Sequence, residues 1–263
     1  MPFENQIVWI TGASSGIGEA LVHAFAKRNA KVILSARRKE ELERVRKEAG
    51  LTEYRSLILP LDLTDPKSIE KAVKTVSQEL SHVHILINNG GVSQRSPARE
   101  TPIANSRKIF ETNFFGPIDL TRQVLPLMPR RSQIVVITSV TGKVGTPGRS
   151  SYSGSKHALH GYFDALRAEL FDDDIGVTLV VPGYIKTNVS INAIVTDGST
   201  QGTTDDTIAS GILPEVLAEK IVKAVISRKR EIVVAAFRER LGILFSKIAP
   251  GLLAKIIRKA KVT

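Results

Sequence analysis

Short runs rich in Val, Ile and Leu alternate with longer stretches of helical periodicity along nearly the whole chain, and this alternation constrains the fold more than any other feature. Runs at 6–11, 31–36, 56–61, 84–88, 133–139, 176–181 and 231–235 read as strands. Helical spacing covers 16–27, 39–49, 66–80, 102–127, 152–171 and 214–227. A strand–helix–strand rhythm of this kind needs right-handed crossovers and buries both faces of a parallel sheet. The pattern predicts an α/β fold: a doubly wound, seven-stranded parallel sheet of Rossmann type with helices on both faces. With 263 residues the chain is long enough for one large domain of this class, here 1–236, followed by an extension at 237–263.

Composition excludes several classes of function. There is no cysteine, hence no disulfide, thiolate metal site or thiol nucleophile. His82 and His84 flank Val83 without a third ligand, so no metal site is expected. No apolar run reaches the ~18 residues of a spanning helix, and no leader is evident ahead of residue 6. These features predict a cytoplasmic protein. The net charge is +11, but from Arg228 onward there are ten Lys or Arg and two Glu, which places eight of those charges in one terminal segment. Clustering of that kind, with 5% aromatic residues, speaks against a nucleic-acid partner.

The segment from Ile7 to Gly18 runs strand, glycine turn and helix start in succession. Gly12 lets the backbone bend, while Gly16 and Gly18 allow a pyrophosphate and the helix to come close to the turn; Ser14, Ser15 and Ile17 lie between them. Exposed N–H groups and the helix dipole then face the anion. At the end of the second strand an acid would bind the ribose 2′-hydroxyl of NAD. The chain instead has Ala36 followed by Arg37 and Arg38, and planar guanidinium groups suit a 2′-phosphate, so NADP(H) is the expected cofactor.

Ser139 closes the fifth strand, and Tyr152 and Lys156 stand four apart on one helix face. A tyrosine serving as acid or base near neutrality needs roughly three pKa units of perturbation, about 4 kcal/mol. A neighbouring ammonium and the positive nicotinamide of an oxidised cofactor have the right sign. Ser139 is placed to bind the same carbonyl oxygen.

Taken together these motifs resemble the short-chain dehydrogenase/reductase family, in its single-domain branch, from residue 7 to about 190. The turn at Thr11–Gly18 is similar to the family's nucleotide turn. Asp62 and Leu63 resemble its adenine-side acidic turn, and Asn88-Asn89-Gly90-Gly91 its Asn-Asn-Ala-Gly motif with Gly90 in place of alanine. Pro182, Gly183, Ile185 and Thr187 match the turn against the nicotinamide, and Asn113, Ser139, Tyr152 and Lys156 fall on the catalytic tetrad. The resemblance implies that Asn113 fixes a water on a proton path through Lys156, that Ser139 and Tyr152 bind substrate, and that the protein forms a homodimer or homotetramer through helices 102–127 and 152–171.

Residues 182–199 are especially similar to the member 7B branch, related to hydroxysteroid dehydrogenases, without that branch's membrane anchor. A loop at 188–211 with an apolar first half then predicts a hydrophobic carbonyl or alcohol substrate, such as a steroid, retinoid or lipid-like molecule. Two other functions stay open: a 3-oxoacyl-[acyl-carrier-protein] reductase, and a non-catalytic NADP-binding regulator. The basic amphipathic helices expected in 237–263 have three readings: a cover over the substrate, a self-association contact, or peripheral contact with anionic membrane.

Overall fold

The computed structural model describes residues 3–258. Seven strands form one parallel sheet: β1 (Ile7–Thr11), β2 (Lys31–Ser35), β3 (Ser56–Ile58), β4 (Ile85–Asn88), β5 (Gln133–Ile137), β6 (Gly176–Pro182) and β7 (Glu231–Val234). Their order is β3-β2-β1-β4-β5-β6-β7. β1 therefore pairs with β2 on one side and β4 on the other, so the chain departs in opposite directions from that point. The carboxyl ends of β1 and β4 open into a crevice, the place where such sheets bind ligands.

The strands are apolar on both sides because both sides are covered. Val8, Ile10, Val32, Leu34, Ile85 and Ile87 face helices α1 (Gly16–Ala26), α2 (Lys39–Glu48) and α8 (Pro214–Ile226). Trp9, Ile33, Leu86, Ile134 and Val136 face α3 (Pro66–Glu79), α5 (Gly116–Val124) and α6 (Ser150–Glu169). Leu86 is wholly buried in the second layer. Leu86→Ala is expected to lower the unfolding free energy by about 2–5 kcal/mol, since both transfer energy and a cavity are lost. Chemical denaturation measures this directly, and a loss below about 1 kcal/mol contradicts the packing described.

Three elements differ from the sequence expectation. β3 ends at Ile58, although the N–H groups of Leu59 and Leu61 still donate to Leu34 and Ala36; Pro60 between them has no N–H. The single helix expected at 102–127 is divided into α4 (Ile103–Phe110), a π-helical turn (Glu111–Phe115), α5, and a last 3-10 turn (Leu125–Leu127). Gly116 N–H donates five residues back to Glu111, and Pro117, lacking an N–H, deprives the Asn113 carbonyl of its usual helical donor. A Cβ on Gly116 would lie 2.1 Å from the Leu63 carbonyl oxygen, so the interruption sits where the helix presses on the loop after β3.

The segment expected as an open loop at 188–211 is tied down by backbone pairing. Ile194 N–H donates to Ser93 O and Arg95 N–H to Ile194 O, both at 2.9 Å, and a short helix α7 (Asp206–Ala209) follows. Beyond β7 come α9 (Phe237–Ile248) and α10 (Pro250–Ile257), with Phe237, Ile248, Leu252 and Ile256 at least half exposed. Among the described residues no helix is long and apolar enough to cross a membrane.

His160 on α6 is buried, with neither ring nitrogen hydrogen-bonded, and burial lowers its pKa to about 4. The folded protein thus holds a neutral imidazole that protonates readily once unfolded. Its contribution is complete above the ordinary value of 6.5 and is lost as pH falls toward 4. The expected result is a melting temperature that drops across this window and a flatter profile for His160→Gln. Parallel profiles for the two proteins count against the assignment.

Candidate active site

The crevice is a cleft of about 720 Å³. Gly12, Ser14, Ser15, Gly16 and Ile17 from the β1–α1 turn line it, with Arg37 and Arg38 after β2, Asp62 and Leu63 after β3, Asn89 and Gly90 after β4, and Thr187 after β6. Five loops dispersed in sequence thus meet at one opening. Arg37 and Arg38 stand exposed at its rim.

The turn requires its glycines. Gly12 and Gly16 have φ of +64° and +57°, where a side chain is strained. Gly18 lies beneath the turn rather than on the cleft, and a Cβ there would come 2.1 Å from Gly12 O. At Gly90, the departure from the family motif, a Cβ would meet Leu63 Cδ1 at 2.8 Å, the movable end of a side chain. The alanine expected there is therefore exchanged for a closer seat for Leu63.

Thr11 joins the two central strands. Its hydroxyl accepts the N–H groups of Asn89 and Gly90, both at 3.0 Å, while Asn89 Nδ2 donates to Thr11 O at 2.9 Å. The Asn89 side chain consequently braces the crevice wall. Asp62 likewise spends one carboxylate oxygen on Thr64, accepting its N–H at 2.9 Å and its hydroxyl at 2.8 Å.

Tyr152 lies in the first turn of α6 and Lys156 one turn further, with Lys156 Nζ 5.8 Å from the tyrosine ring centre. Lys156 Nζ donates to Ile137 O at 2.9 Å, and burial lowers its pKa to about 8, so it is mostly charged at neutral pH. Ser139 follows β5, accepts Thr141 N–H at 3.2 Å and the Thr141 hydroxyl at 3.0 Å, and is hydrogen-bonded to the Tyr152 hydroxyl. Burial raises the Tyr152 pKa; the Ser139 hydrogen bond and the charges of Arg149 and Arg95 oppose it without cancelling it. The Lys156 ammonium, expected to favour the phenolate, donates its hydrogen bond to the Ile137 backbone carbonyl.

Asn113, in the π-helical turn, is 1% exposed. Its amide accepts Val92 N–H at 2.8 Å and donates to Val92 O at 2.9 Å and Ser155 Oγ at 3.1 Å. Both amide hydrogens are committed to the protein, so the side chain braces the backbone at Val92. Gly91, quoted above only within its motif, provides the room: a Cβ would sit 3.0 Å from Asn113 Oδ1 and 3.6 Å from Lys156 Nζ.

The nucleotide end and the reacting end of this site have the arrangement of a known family. The short chain dehydrogenase pattern matches residues 6–196. The chain belongs to the short-chain dehydrogenase family. It is 40% identical to a dehydrogenase/reductase SDR family protein 7-like of Drosophila melanogaster over 99% of this chain and 83% of that one. It is 39% identical to SDR family member 7B of Bos taurus over 96% and 80%.

A short-chain dehydrogenase from Streptomyces avermitilis superposes with a TM-score of 0.77 at 28% identity, covering 95% of each chain. One from Burkholderia phymatum, solved in complex with NAD, gives 0.79 at 20% identity over 97% of this chain and 93% of that one. As a short-chain dehydrogenase the protein is an oxidoreductase with a nicotinamide cofactor, and the glycine-lined cleft between Gly12 and Gly91 fits such a group.

Four residues near the site carried no local motif. Gln94, wholly buried, accepts the N–H groups of Ser151 (2.8 Å) and Tyr152 (3.1 Å) and so caps α6. A weak signal existed: Arg149, the residue before α6, is a poor capping type, so a cap had to come from elsewhere. Arg95 and Asp205 pair across the loop at 188–211. Glu239 of α9 accepts Tyr184 N–H at 3.0 Å, and a Cβ on Gly183 would lie 2.2 Å from its carboxylate. The turn at Pro182 and Gly183 is thus covered by the C-terminal extension, and Ile185 beside it is buried.

Proposed function

We propose that this chain is an NADP(H)-dependent enzyme interconverting a carbonyl and a secondary alcohol on a hydrophobic molecule, steroid, retinoid or lipid-like, with Tyr152 as general acid and base. The observation that carries this reading is the pairing of two half-buried hydroxyls, Ser139 and Tyr152, with the buried Lys156 one turn beyond. Ser139 already accepts from Thr141 twice, so its own hydrogen is what it can donate, to Tyr152 or to a substrate oxygen. Tyr152 gives a proton to that oxygen as negative charge develops, and takes it back in the oxidative direction. A charged Lys156 favours the phenolate left behind, and a water held at Asn113 resupplies the proton. The nicotinamide cofactor, when bound, supplies or takes the hydride.

Arg37 and Arg38, with Ala36 in place of an acid, would hold the 2′-phosphate that distinguishes NADP. Val189 and Ile194 give the cleft an apolar wall, which supports a hydrophobic substrate. Self-association through α5 and α6 belongs to the same reading; Phe115, beside α5, is 47% exposed. NADPH consumption across steroid, retinoid, acyl-thioester and small-ketone panels tests the substrate class. Turnover of steroid or retinoid ketones is expected, and consumption confined to acyl thioesters overturns the proposal.

A further inference from the structure

Arg149 immediately precedes α6 and Arg95 follows β4, yet their guanidinium groups meet on one carboxylate. Arg95 Nε and Nη2 lie 2.9 and 2.5 Å from Asp205 Oδ2, and Arg149 Nη2 is 3.6 Å from the same oxygen. Gln201 Nε2 donates to the other oxygen at 2.7 Å. The three charged side chains are at most 6% exposed. Burying charges costs several kcal/mol per ion, so a cluster like this is weak evidence for stability alone. The loop that carries Asp205 is in any case held by the Ile194 backbone pairs.

Both arginines are anchored at the catalytic tyrosine. Gln94, adjoining Arg95, accepts Tyr152 N–H, and Arg149 O accepts Ser153 N–H at 2.7 Å. The formal charges of the three groups sum to +1, and the charges of Arg149 and Arg95 both act on the Tyr152 phenol, which must be able to lose a proton. We propose that Arg95, Arg149 and Asp205 form a positioning triad in which the arginines favour the anionic form of Tyr152, and Asp205, carried by the substrate loop, sets how much of their charge the phenol feels.

The electrostatics agree with this geometry. Burial opposes ionisation of Tyr152, and Arg149 and Arg95 both act against burial. Burial alone would raise Asp205, but hydrogen bonds from Arg95 and Gln201 outweigh it and hold the carboxyl below its ordinary value. The other polar or charged groups at Tyr152 are Ser139, after β5, and Lys156, on its own helix; Tyr184 lies 5.9 Å under the Arg149 guanidinium. Because Asp205 belongs to the loop over the substrate end, opening that loop would also change the charge felt by Tyr152.

The inference rests on Tyr152 being the proton-transfer group, but its test needs no turnover and can fail separately. The chain has four tyrosines. With 13Cζ-tyrosine labelling, Tyr152→Phe identifies the Tyr152 resonance, whose shift is followed from pH 6 to pH 11. Asp205→Asn is expected to lower its midpoint by about one unit and Arg149→Met to raise it by about one unit or beyond the window. Arg149→Lys keeps the charge and stays near the wild-type value. Should Arg149→Met fail to fold, Arg95→Met carries the same sign. Simple loosening of the loop would expose the phenol and move all these variants downward, so midpoints shifting in one direction overturn the proposal. Unchanged midpoints overturn it as well, as does a Tyr152 that fails to titrate below pH 11 in both wild type and Asp205→Asn.

Discussion

Tyr152→Phe is expected to bind NADPH as the wild type does and to lose turnover by about a thousandfold, roughly 4 kcal/mol of transition-state stabilisation. The substitution removes one oxygen and leaves the ring packed where it is, one turn from Lys156. Ser139 keeps its two hydrogen bonds from Thr141, so the oxygen-binding corner stays ordered. What disappears is the phenolic hydroxyl that the proposed mechanism uses to shuttle the proton. Fluorescence titration with NADPH, together with steady-state consumption, separates binding from chemistry. A variant that retains more than about a tenth of the wild-type rate assigns the proton to another group.

The second large effect concerns the cofactor. Replacing both Arg37 and Arg38 by alanine is expected to weaken NADPH binding about 10- to 100-fold and to leave NADH nearly unchanged. Hydrogen bonds to charged groups are worth about 1.5–3 kcal/mol each, and exposure of both arginines at the rim places their combined effect toward the lower end. On the proposed reading the glycine turn would bind the pyrophosphate that both cofactors share, so only the 2′-phosphate would separate them. A fold neighbour was solved with NAD, which shows that the fold by itself does not make this choice. Equal affinity of the wild type for the two cofactors, or a preference for NADH, rejects the assignment.

Much of the site was legible because its signals are local. The glycines from Gly12 to Gly18 act through a positive φ and the absence of a Cβ, properties that belong to single residues. Tyr152 and Lys156 share a face because helical geometry places residues four apart together. Nothing in the sequence shows that the Asn113 amide closes on Val92. The interrupted helix had a visible cause in Gly116-Pro117, yet its position depends on contact with the Leu63 carbonyl, 53 residues earlier.

Residues joined across the fold carried no such signal. Gln94 caps Tyr152 from 58 residues away, Arg95 meets Asp205 across 110, and Glu239 reaches the Tyr184 backbone across 55. The sequence by itself determined the parallel sheet, the glycine turn and the shared helix face of Tyr152 and Lys156, because periodicity, backbone freedom and helical spacing are set within a few residues. Only the tertiary structure decided which buried polar groups pair, and so what surrounds the catalytic tyrosine. A buried donor or charge must find a partner, but its chemistry accepts many, and the one it obtains is chosen by the packing of distant elements.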